Sequence, residues 1–140
     1  MNVGRAIAAG AAGTAVMTML MMAAPMMSMP EMPIGQMLGS FLKIGTALGW
    51  VMHGVIGLVL AATYAAVFAS RLPGPPAGRG AAYGFLVFLM AQVVVMPMMG
   101  AGVFSGGNAA MIMGSLMGHL VYGAIVGAVY GTRGPKAVVA

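Results

Sequence analysis

TALGWVMHGVIGLVLAATYAAVFAS, residues 46–70, contains no Asp, Glu, Lys or Arg. A helix needs roughly 20 apolar residues to cross a bilayer, and this run is longer than that. Three more runs without any charged residue flank it, at about 6–29, 81–100 and 109–131. Backbone N–H and C=O groups find no water inside lipid, so each run must satisfy its own hydrogen bonds as a helix. The expected fold is an all-α integral membrane four-helix bundle, one membrane domain spanning residues 1–140.

Composition agrees. The chain is 61% hydrophobic and 5% charged, with a mean hydropathy of +1.03. A soluble domain carries about 25% charged residues. Cysteine is absent, which excludes disulfides, thiolate metal sites and a cysteine nucleophile. Glu31 is the sole carboxylate side chain, so paired-carboxylate and Ser-His-Asp chemistry is excluded too. No Gly-rich phosphate loop with its lysine occurs. The expectation is a protein that is not an enzyme, with a redox role only as part of a complex. The net charge of +5 comes from residues scattered at the ends of apolar runs, so it points to topology and not to nucleic acid.

Those charges orient the chain. Arg5, Arg71, Arg79, Arg133 and Lys136 fall in the N-terminus, the second loop and the C-terminal tail, and only Lys43 and Glu31 fall on the other side. The positive-inside rule then makes both termini cytoplasmic. The expected location is a prokaryotic inner (plasma) membrane. In the first outer loop, Ile34, Met37, Leu38, Phe41 and Leu42 repeat with helical spacing behind Pro33, which predicts a short interfacial helix. The third loop, AGVFSGGN, reads as a turn only.

Working outward from His53 exposes a duplication. Aligned with His119, it brings Val55 onto Val121, Gly57 onto Gly123, Ala62 onto Ala128 and Tyr64 onto Tyr130. The first and third runs share PMM, at residues 25–27 and 97–99. The bundle is therefore expected as two repeated helical hairpins about an axis along the membrane normal. Gly57, Gly123, Gly127 and Gly131 are the expected helix-packing residues, because helices in lipid associate through small faces.

The methionines gather in the outer half. At 1.5 Å per residue, His53 and His119 lie roughly 10–15 Å below the outer surface, with Gln92 at a similar depth. Intramembrane ionisable groups are candidate functional residues. His53 and His119 are candidate axial ligands for haem b. With methionine thioethers they are candidate ligands for Cu(I), a soft ion suited to sulfur and imidazole. Met17 with Met21, and Met22 with Met26, each share a helix face; Met98 and Met99 end the third run. The MxxxM spacing resembles that of eukaryotic copper transporters, which have three spans and a different motif order. The bland alternative is that methionine fills irregular gaps and the polar layer is glue between helices.

The four spans, the methionine-rich outer ends and the motifs GWVMHG (49–54) and MGHLVYG (117–123) resemble small uncharacterised prokaryotic membrane proteins grouped as a domain of unknown function. That resemblance implies no activity. The leading functional expectation is an accessory or interaction subunit of a larger membrane complex, such as a respiratory one. Its partners would be the lipid bilayer and protein subunits or further copies of the chain. A haem b or copper protein is the alternative, and a small channel or transporter is the third. No cofactor is the leading expectation.

Overall fold

The computed structural model describes residues 1–131; Arg133 and Lys136 lie outside the described residues. Four helices are each long and apolar enough to cross a membrane: span 1 (Val3–Met27), span 2 (Thr46–Phe68), span 3 (Pro76–Met98) and span 4 (Ala109–Tyr130). No strand occurs among the described residues. The chain is an all-helical membrane bundle, with spans 1 and 4 in contact at its centre, span 2 against span 1, and span 3 against span 4.

The ends of the spans follow local chemistry. Asn2 caps span 1, its side-chain oxygen accepting from the Arg5 amide, and Asn108 does the same for span 4 through Met111. Span 3 begins at Pro76, five residues earlier than the apolar run, because proline is well suited to a first helical position, where no intrahelical N–H is needed. Span 1 tightens into a 3₁₀ turn over Ala24–Met27, where Pro25 removes a donor. Spans 2 and 3 each widen into a π-helical segment, at Tyr64–Phe68 and Ala91–Val95.

Spans 3 and 4 meet backbone to backbone. A Cβ on Gly80 would land on the carbonyl oxygen of Gly123, one on Gly84 on that of His119, and one on Gly127 on that of Pro76. Small residues allow this approach, and close packing replaces the hydrophobic drive that lipid cannot supply. Of the expected packing residues, Gly57, Gly123 and Gly127 are buried in helix contacts; Gly57 lies against Thr14 of span 1. Gly131 instead ends span 4, with φ +48°.

At the end of the bundle that carries the N-terminus, tyrosines and arginines close the structure. Tyr64 packs on Tyr83 at 5.3 Å and edge-on to Tyr130 at 6.1 Å, so the two tyrosines equated by the repeat meet in the core. Tyr83 donates to the Leu60 carbonyl at 2.9 Å. Arg79 is buried and donates to the Ala69 carbonyl at 2.7 Å. Arg5 reaches the Gly131 carbonyl at 3.3 Å, and Arg71 the Val67 carbonyl at 2.9 Å. All three arginines thus bond carbonyls at the C-terminal ends of spans 2 and 4, where the helix dipole favours a cation.

Candidate functional site

Toward the methionine-rich end the bundle opens. A cavity of about 170 Å³ lies among all four spans and the loop helix. That helix runs over Ile34–Phe41, and Ile34 and Leu38 face the cavity. It is clamped to span 2 because Gly39 lies under the Gly45 carbonyl and Gly49 under the Gly35 carbonyl. Phe41 and Leu42, expected on the same apolar stripe, are exposed.

The polar groups of the cavity come from all four spans. Thr14 belongs to span 1, His53 to span 2, Gln92 to span 3, and Ser115 and His119 to span 4. His119 Nδ1 lies 2.7 Å from the Ser115 carbonyl oxygen, one turn back on its own helix. Nδ1 therefore carries the proton and donates, which leaves Nε2 as a lone-pair acceptor. His53 Nε2 pairs with the Thr18 hydroxyl at 3.2 Å, and its ring stands edge-on to Trp50 at 6.0 Å. Tyr122, which also lines the cavity, donates to the Gly57 carbonyl at 2.6 Å.

Gln92 differs from the rest. It is fully buried, and its Oε1 accepts from the Ser105 hydroxyl at 2.9 Å. Its Nε2 has no hydrogen-bond partner, nor does the Thr14 hydroxyl. An unsatisfied buried polar group costs about 1–3 kcal/mol. The π-helical segment places Gln92, and π-bulges recur at functional sites. Ser105 reaches it from a turn in which Phe104 and Ser105 both adopt left-handed backbone, with φ of 48° and 51°. Such conformations cost about 1–3 kcal/mol each and collect at functional sites. The turn between spans 3 and 4 is thus a structured bracket for Gln92, where the sequence suggested a bare connection.

The candidate residues divide. His53, His119 and Gln92 line one cavity, together with Met17, Met21 and Met99. Met22, Met26 and Met98 are not with them; they are exposed on the outside of the bundle. Met32, Met90 and Met96 join the cavity instead. A neighbouring cavity of about 190 Å³ is lined by Met21, Met27, Met29, Met32, Met113 and Met117, and Met21, Met32 and Gly114 line both cavities. Among the described residues no group of three or more His, Cys, Asp or Glu side chains could hold a metal. A cavity of about 150 Å³ accepts one benzene ring, so the larger part of a haem macrocycle has no room here unless the spans separate.

A family profile covers residues 1–138 of the sequence. The chain belongs to a family of unknown function, DUF6789. No curated protein and no solved structure matches it. The family assignment bears out the resemblance to a domain of unknown function. The chemistry must therefore be argued from the cavity itself.

Proposed function

We propose that this protein is a membrane-embedded binding protein that holds one small, lipid-soluble molecule in the cavity among its four spans. The observation that carries the reading is Gln92. A fully buried glutamine whose amide nitrogen has no partner stands in the wall of a cavity with room for a single ring. A polar group left unsatisfied in an apolar interior is destabilising unless a ligand completes it. The methionines fit this role, since their flexible thioether chains line binding surfaces that adapt to the occupant. The termini are cytoplasmic in this reading, which puts the cavity in the outer half of a prokaryotic plasma membrane.

The test uses butylbenzene, a ring of the right size, added to the purified protein in mild detergent. A ligand that binds only the folded state stabilises it by mass action. Butylbenzene should raise the unfolding temperature saturably, and Ala91→Phe, which fills the cavity, should abolish the rise. No saturable rise in the wild type would overturn the proposal. Gly114→Leu is a second filling variant, because only the flexible ends of Met32 and Met29 lie over Gly114.

A metal reading is favoured by one observation. The Nδ1 bond to the Ser115 carbonyl fixes His119 as metal-ligating histidines are fixed, with Nε2 left over. The six cavity-lining methionines would supply soft donors for Cu(I). Elemental analysis of protein from native membranes, beside His53→Ala/His119→Ala, tests it: about one copper per chain, lost in the variant, is the supporting outcome. An accessory-subunit role rests on composition, and the exposed apolar faces are those that any lipid-facing span presents.

A further inference from the structure

We infer that the ligand is a quinone-type lipid, whose single six-membered ring sits in the cavity with its oxygens on Gln92 and His119 and whose tail leaves between spans 2 and 3. The inference rests on the binding reading above and names its ligand class.

Size sets the first constraint. The cavity is about 170 Å³, close to the ~150 Å³ that accepts one benzene ring. Polarity sets the second. Gln92 Nε2 offers N–H donors with no protein acceptor, which suits a carbonyl oxygen. His119 Nε2 offers a lone pair, because Nδ1 is engaged by the Ser115 carbonyl, which suits a hydroxyl. The quinol form satisfies both groups, one hydroxyl oxygen accepting from Gln92 Nε2–H and the other hydroxyl donating to His119 Nε2. The oxidised form bonds Gln92 alone, because a carbonyl oxygen cannot donate to that lone pair. No charged side chain lines the cavity, so a carboxylate, phosphate or ammonium head group would arrive without a counter-ion.

Access sets the third. Spans 2 and 3 meet at the N-terminal end of the bundle through Tyr83 and Leu60. Farther along, Ile56 of span 2 and Met90 of span 3 line the cavity and are also 39% and 47% exposed. Side chains that face both the cavity and the outside mark a lateral mouth. A mouth that opens sideways from a transmembrane bundle delivers its ligand from the bilayer, and a tailed ring is a bilayer molecule.

Trp50 provides the readout. It is the sole tryptophan, and its ring stands edge-on to that of His53, which lines the cavity. Benzoquinones accept excitation energy and electrons from tryptophan and quench its emission. In nanodiscs, decylubiquinone should quench Trp50 in a saturable phase with one site per chain, above the linear quenching of quinone dissolved in the bilayer. Gln92→Leu should weaken the saturable phase about tenfold, the loss of one buried hydrogen-bond partner, and Ala91→Phe should remove it. Ser105→Ala, which frees the Gln92 amide to turn, should have a smaller effect of the same sign. Purely linear quenching, equal in wild type and Ala91→Phe, overturns the inference. If butylbenzene still binds while decylubiquinone does not, the cavity reading survives and the quinone class is wrong; if neither binds, both are wrong.

Discussion

At the N-terminal end of the bundle, Gly80 and Gly84 lie against Gly123 and Gly127 with helix backbones touching. At the opposite end, Met17, Met21, Met90 and Met96 hold the same helices around a cavity. The first end ties its long polar side chains to backbone carbonyls: Tyr83 to Leu60, Arg79 to Ala69, Arg5 to Gly131. The second leaves Gln92 Nε2 without a partner. Small residues weld helices because backbone approach maximises dispersion contact in lipid. Long flexible residues keep helices apart and can repack. One bundle thus joins a rigid clamp to an adaptable chamber.

Substitutions at the clamp should have the largest effects. Gly123→Leu drives a side chain into the Gly80 carbonyl. It should abolish the monodisperse folded species in size-exclusion chromatography, at a cost above about 3 kcal/mol, the upper end of ordinary overpacking. A folded, wild-type-like Gly123→Leu would show that spans 3 and 4 do not meet as described. Arg79→Leu comes next. It removes a buried charge-assisted hydrogen bond to Ala69, worth about 1.5–3 kcal/mol, and should lower the unfolding temperature in detergent.

The chamber should answer differently. Gly54 has open space around its Cβ position, so Gly54→Ala should be neutral or stabilising, by up to about 1 kcal/mol of helix propensity. Gly127→Ala, the same change against the Pro76 carbonyl, should destabilise; thermal unfolding of the pair measures the contrast directly. Met17→Leu and Met90→Leu nearly conserve volume and should each cost under about 1.5 kcal/mol. Gln92→Leu sharpens the comparison most. It removes an unpartnered amide nitrogen but also the acceptor of the Ser105 hydroxyl. The double variant Gln92→Leu/Ser105→Ala takes out both partners, so it should unfold no earlier than wild type without ligand while butylbenzene or quinone affinity changes. Lower stability of the ligand-free double variant would mean that Gln92 serves the fold and not a ligand.

Much of this architecture was legible in the sequence. The uncharged runs gave four helices, and the spacing of Ile34 and Leu38 gave the loop helix. The glycine stripe of span 4 was visible at 123 and 127, but its partner was not. Gly80 and Gly84 have the same spacing, yet Arg79 beside them reads as a loop residue until its guanidinium is seen bonding a helix end. The site was half legible. His53, His119 and Gln92 share a depth, which counting along the helices gives. Met17/Met21 and Met22/Met26 both obey i, i+4, so spacing alone cannot say which pair turns inward; packing decides, and it selects the first. Ser105 had no signal beyond being a hydroxyl in a glycine-rich turn, since its reach to Gln92 depends on left-handed backbone that periodicity does not reveal.

The most direct measurement is native mass spectrometry of the protein released from its own membranes, wild type beside Ala91→Phe. A single small-molecule adduct bound one to one in the wild type and missing from the variant would place a ligand in the chamber, and its mass would name the class. Adduct-free wild-type protein, with the same mass pattern as Ala91→Phe, would contradict a binding role and leave the chamber as loosely packed methionine.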